Sequence, residues 1–331
     1  MLMLIILMFL HFFVDYFASF SLLSLGLHYQ GLAWLFLVYN ILAFLPQPLF
    51  GFLIDKTAPK HFVSIGLAML AIGFLFVDVS PWAGVVFLGL GNAIFHVAGG
   101  KIIINSNEKK WPLGAFVGMG AIGLACAWAF PDNTDLATVF FLLTVVALTA
   151  FQFVKMTVIE RSDEAAPIKV PWLLLVAVAI LVRAFLGKYV TYEISFALWV
   201  LLAGCAAGVG KIVGGFLADR FGVTVTVIIS TVLGLASLFF THNAVLSIVG
   251  ILAINIAMPI TLYLIIRAMP HYTATAFGIA AMTLIPGFYA GLFFASYYSI
   301  FVTIGLMLLN IAIIVLANHR LKMASDVDLW K

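Results

Sequence analysis

Charged residues are scarce in this chain: only 9% of its 331 residues are Asp, Glu, Lys or Arg, whereas 65% are hydrophobic. A soluble core does not require so large an apolar share, so lipid is the solvent for most of the chain. Backbone groups in lipid must be hydrogen-bonded within their own segment, and the apolar runs are too long for barrel strands. The sequence therefore predicts an all-α polytopic protein that crosses the lipid bilayer many times.

Sequence features of enzymes and nucleic-acid-binding proteins are missing as well. The two cysteines, Cys126 and Cys205, lie inside apolar runs and lack metal-ligand or disulfide spacing, which favours buried, inert thiols. No Ser/His/Asp arrangement, metal cluster or nucleotide motif is present. We therefore expect no enzymatic activity, no catalytic residues, no cofactor, no metal site, no ATP hydrolysis within this chain and no nucleic-acid partner.

Charges, prolines and turn residues divide the sequence into twelve predicted spans of roughly 20 residues. These spans cover residues 2–27, 31–54, 61–78, 82–104, 111–130, 136–156, 171–192, 196–218, 223–240, 244–266, 273–294 and 297–318. With the N-terminus inside, every Lys and Arg that lies outside a predicted span is cytoplasmic, and the loops on the opposite side of the membrane have none. The sequence therefore predicts a multi-pass protein of the cell inner membrane with both termini in the cytoplasm. The first span has no positive n-region and no cleavage site, so we expect it to be retained.

A charged motif occurs twice, about half a chain apart. The first copy is Gly51-Phe-Leu-Ile-Asp55-Lys56-Thr-Ala-Pro59-Lys60, and the second is Gly215-Phe-Leu-Ala-Asp219-Arg220-Phe-Gly222. The repeat predicts two similar halves. We expect an N-terminal six-helix bundle over 1–156, a cytoplasmic linker over 157–170, a C-terminal six-helix bundle over 171–320 and a cytoplasmic tail over 321–331.

Twelve spans in two sixes, with this motif after spans 2 and 8, resemble the major facilitator superfamily of transporters. Gly51, Asp55, Lys56 and Lys60 match its G-x-x-x-D-K/R-x-x-x-K/R signature, whereas the second copy lacks the last basic residue. The resemblance implies two pseudo-symmetric bundles and a cytoplasmic gate formed by both copies of the motif, including Arg220. It also implies that Lys101, at the end of span 4, pairs with Asp55, and that the Asp219 copy is the weaker contact.

A closer resemblance covers much of the first half. The segments His11-Phe-Phe-Val-Asp15, Gln47-Pro-Leu-Phe-Gly51 and Gly89-Leu-Gly-Asn-Ala-Ile-Phe-His96 are similar to the fosmidomycin-resistance type of exporter. That group often has a basic residue early in helix 7, where this chain has Arg183. The match departs at Val97 and Ala98, where the group usually has Pro and Glu.

Asp15 lies halfway along span 1, where an ionised carboxylate costs roughly 2.5–3.5 kcal/mol. His11 lies one turn earlier on the same helix face. The pair is a candidate proton-coupling site, since the histidine can share or relay a proton. The alternative is a helix-packing hydrogen bond without a transport role.

Arg183 lies about 18 Å into span 7, close to mid-membrane. It stays charged and needs an anionic partner, which can be Asp15, an acidic substrate or backbone carbonyls. Lys211 lies in a glycine-rich stretch of span 8 that favours close helix packing. Lys211 is a second candidate cation for an anionic substrate or a member of a structural ion pair.

Polar residues of other spans are further candidates for substrate binding: His96, Asn92, Asn255, Tyr263 and Tyr289. A helical histidine such as His96 is also common as a packed, hydrogen-bonded residue. Lys188 and Glu193, near the external end of span 7, form either an external gate or a snorkelling interfacial pair.

These residues and the resemblance imply a secondary active transporter, with alternating access to a central site, that binds a small molecule and protons and is monomeric. We expect proton-coupled export, by antiport, of a small anionic or zwitterionic organic molecule or drug. The alternatives are an importer or facilitator of a carboxylate, sugar or metal chelate, and a non-transporting membrane partner protein with the same fold.

Overall fold

A computed structural model describes residues 1–26, 29–156, 167–187, 197–238, 243–294 and 299–323. These residues form thirteen helices. The helices are α1 (Leu2–Gly26), α2 (Leu32–Phe44), α3 (Gln47–Asp55), α4 (Pro59–Phe76), α5 (Pro81–Asn105), α6 (Trp111–Ala129), α7 (Thr134–Phe153), α8 (Val170–Leu186), α9 (Ala197–Leu238), α10 (Ala244–Ile256), α11 (Met258–Ala268), α12 (Thr273–Phe293) and α13 (Ile300–Met323). We call α1–α7 the first half and α8–α13 the second half.

The prediction of an all-helical, many-span architecture is confirmed. Within the described ranges, ten helical segments are long and apolar enough to cross a membrane, with α2–α3 and α10–α11 each counted as one, and α8 is a shorter apolar helix. The outer surface is apolar, as on α7, where Leu142, Val146 and Phe153 are exposed. Such side chains suit contact with lipid tails rather than water.

Glycine and proline explain where the helices break. Proline occupies the first turn of α3, α4, α5, α6, α8 and α11, where its missing N–H leaves no hydrogen bond unmade. Pro286 lies inside α12 without ending it. The 42-residue α9 is interrupted at Gly222, whose φ of 82° and ψ of 166° are not helical. The count of twelve spans stays a prediction, because the two spans expected over 196–240 lie in this one interrupted element.

The two halves meet along two pairs of helices, α6 with α9 and α3 with α12. At the first pair, a Cβ on Gly118 would lie 2.7 Å from the carbonyl oxygen of Gly208, and a Cβ on Gly208 would lie 2.7 Å from that of Gly118. Neither backbone has room for a side chain, which is the role of small residues at membrane helix interfaces. The predicted domain boundaries stay a prediction.

Candidate functional site

Asp55 ends α3 and places its carboxylate against the first turn of α12, a helix of the other half. Its Oδ1 accepts a hydrogen bond from the N–H of Ala274 at 2.9 Å. Its Oδ2 accepts one from the N–H of Thr275 at 2.9 Å and one from the Thr275 hydroxyl at 2.7 Å. First-turn N–H groups have no partner within their helix and carry partial positive charge. Asp55 therefore caps α12 across the interface between the halves.

Asp219 makes the reciprocal contact from the second half to the start of α6. Its carboxylate accepts hydrogen bonds from the N–H of Lys110 at 2.9 and 3.0 Å and from the N–H of Trp111 at 3.0 Å. The Lys110 ammonium lies 3.4 Å from Oδ1. The repeated motif thus builds two crossed caps, and we call the end of the molecule that carries them the capped end.

The glycine one turn before each aspartate permits this close approach. A Cβ on Gly51 would lie 2.6 Å from the carbonyl oxygen of Ala274, and a Cβ on Gly215 would lie 2.5 Å from Cα of Trp111. Real Cβ atoms do not approach backbone so closely. The spacing G-x-x-x-D therefore places a contact-permitting residue and a capping carboxylate on one helix face.

Lys101 is placed beside Asp55, as the resemblance implies, but at the limit of an ion pair. Its Nζ lies 3.9 Å from Oδ1 of Asp55. The same ammonium donates hydrogen bonds to the carbonyl of Ile54 at 2.7 Å and that of Thr57 at 3.4 Å. Lys101 therefore binds mainly the carbonyls at the C-terminal end of α3, while backbone N–H groups hold Asp55.

The other basic residues of the motif do not contact the capping aspartates. Lys60 donates to the carbonyls of Gln152 and Val154, at 2.7 and 3.0 Å, at the C-terminal end of α7. The Lys56 ammonium lies 3.9 Å from the centroid of the Phe52 ring, and the Arg220 guanidinium lies 5.6 Å from the centroid of the Phe221 ring. The last basic residue of the motif stabilises α7 within the first half, so its absence from the second copy does not remove a contact to Asp219.

A central cavity of about 600 Å³ lies between the halves. On α9, the lining residue Lys211 lies eight positions before Asp219, which is about 12 Å of helix from the capped end. The cavity extends past Leu22 and Trp128, near the other ends of α1 and α6. The polar residues of its lining come from six helices and are His11, Asp15, Ser19, Tyr39, Asn40, Asn92, His96, Arg183, Lys211 and Thr261.

Asp15 lies at the centre of a polar cluster on the first-half wall of the cavity. Its Oδ2 is 3.4 Å from Nε2 of His11, and its Oδ1 is 3.6 Å from Nε2 of His96. The Asn92 side chain donates a hydrogen bond to Oδ1 at 3.2 Å. We call Asp15, His11, His96 and Asn92 the acid–histidine cluster. It joins the predicted proton site on α1 to two residues predicted separately on α5.

Hydrogen bonds assign the protons of the two histidines. Nδ1 of His96 lies 2.9 Å from the carbonyl oxygen of Asn92, so this nitrogen carries a proton. Nε2 of His96 then accepts a bond from Nε2 of His11, 2.8 Å away. Nδ1 of His11 is buried without a partner in the described part of the chain, which costs less for a lone pair than for an N–H. With the protons placed in this way, Nε2 of His96 and the Asp15 carboxylate face each other as two acceptors, so the cluster has a place for one more proton between them.

The same three side chains also have the composition of a metal site. Their ligand atoms lie within 4.8 Å of one another. Two nitrogens bound to a tetrahedral zinc ion at about 2.05 Å lie roughly 3.3 Å apart. The 2.8 Å between the two histidine nitrogens is instead a hydrogen-bond length. The arrangement therefore suits a shared proton better than a metal ion.

Gly120 of α6, a residue that the sequence did not single out, makes space for the cluster. A Cβ at this position would collide with the Asp15 carboxylate and with the His11 ring. The sequence also gave no signal for Tyr39, Trp128 or Thr261. Ser19 could have been found, because it lies one turn beyond Asp15 on the same face of α1.

Arg183 and Lys211 enter the cavity lining from α8 and α9 of the second half. Nε of Arg183 is buried and has no hydrogen-bond partner among the described residues. The Lys211 ammonium donates to the carbonyl of Val117 at 3.3 Å. The four ion pairs found in the described ranges include neither cation. The pairing of Arg183 with Asp15, one of the alternatives left open by the sequence, is therefore not made in this structure.

Three further candidates are not among the residues that line this cavity. Asn255 donates its side-chain N–H to the carbonyl of Ile251 within α10. Tyr263 is buried near the capped end, where its hydroxyl accepts a bond from Arg267 at 3.3 Å. Tyr289 of α12 lies edge-on to Phe288. Lys188 and Glu193, the predicted external gate, lie outside the described residues.

The fold is shared with solved membrane transporters. The E. coli fucose:proton symporter FucP aligns over 98% of this chain and 98% of its own, with TM-score 0.72 and 13% identity. A bacterial homologue of the iron transporter ferroportin, in an outward-facing state, aligns over 97% and 99%, with TM-score 0.59 and 15% identity. A further FucP structure, described as a major facilitator superfamily transporter in the outward conformation, gives TM-score 0.71.

These comparisons show that the chain has the major facilitator fold of a multi-pass membrane protein. No family model matches the sequence, and no curated relative matches it. The narrower resemblance to fosmidomycin-resistance exporters stays a prediction.

Proposed function

We propose that the protein is a secondary active transporter that couples a proton to the movement of a small organic molecule. One observation carries the proposal: the cavity between the halves is lined by the acid–histidine cluster of the first half and by two cations of the second half that have no carboxylate partner among the described residues. Ionisable groups inside a membrane protein mark ion and substrate pathways. The shared fold with a fucose:proton symporter supports the same reading.

The crossed caps support a proposal about the conformational state of the structure. Asp55 and Asp219 hold the halves together at the capped end, while the cavity lies beyond them. The distribution of Lys and Arg in the sequence predicts that the capped end is cytoplasmic. The structure then represents an outward-facing state, and transport requires both caps to break as the halves rock. Two of the similar solved structures are described as outward.

The membrane topology follows from the same proposal. About 42 residues of helix span roughly 63 Å, twice the thickness of the hydrocarbon core, so α9 represents two spans that reverse direction at Gly222. With α8 counted as a full span, the protein crosses the inner membrane twelve times and both termini are cytoplasmic. We propose that it acts as a monomer, since each chain encloses a complete cavity.

Two modes of coupling are compatible with this proposal. Exchange of a proton for substrate, the export by antiport that the sequence predicts, requires substrate and proton to compete for Asp15. A zwitterion or a cationic drug with an amine at Asp15 would compete in this way. Co-transport requires a substrate that binds together with the proton. Both modes depend on Asp15.

The first prediction tests this dependence. Asp15→Asn keeps a polar side chain of the same size but removes the proton-binding carboxylate, so we expect pH-gradient-driven substrate movement in proteoliposomes to be abolished. Asp132→Asn removes an exposed carboxylate between α6 and α7 and serves as the control, with transport unchanged. Undiminished pH-gradient-driven transport by Asp15→Asn would contradict the proposal.

A further inference from the structure

We infer that the substrate is an amphipathic organic monoanion, and that it binds together with a proton rather than in exchange for one. The inference rests on the proposed function and concerns the chemistry of the same cavity. The sequence allowed an anionic or a zwitterionic substrate, and the inference favours the anion. It also favours co-transport of the substrate with a proton over antiport.

The two cations of the second-half wall require a negative partner. A guanidinium nitrogen buried without an acceptor costs free energy that an anionic ligand recovers. Among the described residues Lys211 has one carbonyl acceptor, which leaves two of its three donors available. A carboxylate in the cavity would offer an acceptor to both side chains, since both line it. One negative charge is enough, because Asp15 already offsets one of the two cations.

The first-half wall does not require a substrate amine. The Asp15 carboxylate already accepts a hydrogen bond from Asn92, and the protonated Nε2 of His11 lies 3.4 Å from it. An ammonium group placed there would displace these contacts and would face two cations across the cavity. Electrostatic repulsion of that kind disfavours an amine.

The remainder of the cavity suits an apolar body. Aromatic and aliphatic side chains surround the polar band and continue toward the mouth, and they include Phe36, Leu22, Leu124, Trp128 and Leu284. Burial of apolar ligand surface against such groups is favourable. The anionic head therefore lies at the depth of Arg183 and Lys211, and the apolar body points away from the capped end.

The charges that face Asp15 decide how proton and anion affect each other. The titratable and charged groups that line the cavity with it are His11 on α1, Tyr39 on α2, His96 on α5, Arg183 on α8 and Lys211 on α9. Without ligand, the two cations oppose the arrival of a proton. An anion on those cations cancels this opposition, so anion and proton each favour binding of the other.

The expected size of this coupling follows from Coulomb's law. Two unit charges about 10 Å apart, in a medium of effective dielectric constant about 20, change each other's binding constants roughly tenfold. Competition for one site would give the opposite sign. The sign of the coupling therefore separates co-transport from exchange.

The test measures binding and proton movement on the purified full-length protein. The probes are phenylbutyrate, its neutral analogue phenylbutanol, its cationic analogue phenylbutylamine and the zwitterion phenylalanine. We expect phenylbutyrate to bind best, with higher affinity at about pH 6 than at about pH 8, a range in which its carboxylate stays ionised. In weakly buffered solution, binding should take up protons. Preferential binding of the amine or the zwitterion, proton release, or no proton change would overturn the inference.

Variants show where the proton and the anion bind. Arg183→Gln and Lys211→Gln should each weaken phenylbutyrate binding at least about tenfold, because each removes a charge-assisted contact. Lys109→Gln, an exposed lysine near the capped end, should not. Asp15→Asn combined with His96→Gln should abolish proton uptake, whereas Lys211→Gln should retain it at saturating phenylbutyrate. The reverse pattern would place the proton on Lys211 and overturn the inference.

Transport assays separate this inference from the proposed function. Phenylbutyrate binding with proton uptake, but without movement of any probe in proteoliposomes, would overturn the proposed function and leave the binding chemistry intact. Probe movement driven by an opposing proton gradient would support the transporter and overturn co-transport.

Discussion

Asp55 and Asp219 make nearly interchangeable contacts, whereas the cavity walls of their two halves present different charges. Each aspartate caps a helix of the other half through first-turn N–H groups at 2.9–3.0 Å. In the cavity lining, the first half supplies one carboxylate and two histidines, and the second half supplies two cations. The shared motif joins the halves at one end of the molecule, and the lining that differs between them is the part that we propose to select the ligand.

Among the variants that compare the two halves, the largest effect on transport is expected at Gly120, where the first half has no space for a side chain. Gly120→Ala would place a methyl group on the Asp15 carboxylate and the His11 ring, so the cluster would have to move. Overpacking of this kind costs about 1–3 kcal/mol. We expect proton-coupled transport to fall roughly tenfold or more, as measured by initial rates in proteoliposomes.

Gly305→Ala is the matched control, since it lies on α13 and a Cβ there meets no atom within 4 Å. It should transport normally. Equal transport by both variants would show that the packing around the cluster does not control its chemistry.

The two caps provide the direct comparison between the halves. Asp55→Asn and Asp219→Asn keep an acceptor but remove its charge, which is worth about 1 kcal/mol at a helix N-terminus. Each variant should raise the population open at the capped end roughly fivefold. A cysteine at cavity residue Ala281, in a background without native cysteines, reports this population through labelling by a membrane-impermeant thiol reagent from the cytoplasmic side.

The sequence predicts a weaker Asp219 contact, because the second motif lacks the last basic residue. In the structure that residue, Lys60, binds carbonyls of α7 instead. We therefore expect similar increases for the two variants. A much larger increase in labelling for Asp55→Asn than for Asp219→Asn would contradict this expectation and support the weaker Asp219 contact that the sequence predicts.

The smallest effect is expected at Lys101. Its ammonium lies 3.9 Å from Asp55 and binds two carbonyls more closely. Lys101→Gln retains a donor for those carbonyls, so the same labelling assay should show an increase below that of Asp55→Asn. An equal or larger increase would mean that the ion pair, rather than the N–H groups of α12, holds the first cap.

The sequence by itself determined the solvent, the helical class and the residues of interest. Lipid excludes unpaired charge, so an Asp, Arg or Lys inside an apolar run is conspicuous without any structure. Asp15, Arg183 and Lys211 were found in this way, and all three line one cavity. His11 was found from its spacing on the same helix.

Only the tertiary structure decided which residues meet. His96 joins Asp15 from 81 positions away, a relation that spacing along one helix cannot give. The partners of Asp55 and Asp219 are mainly backbone N–H groups, which every residue except proline has and which therefore leave no mark in the sequence. Gly120 matters because of the atoms opposite it, so its role depends on packing between helices. A charged residue in an apolar span can be recognised from the sequence one residue at a time, whereas a contact between two helices depends on how both helices pack in the folded protein.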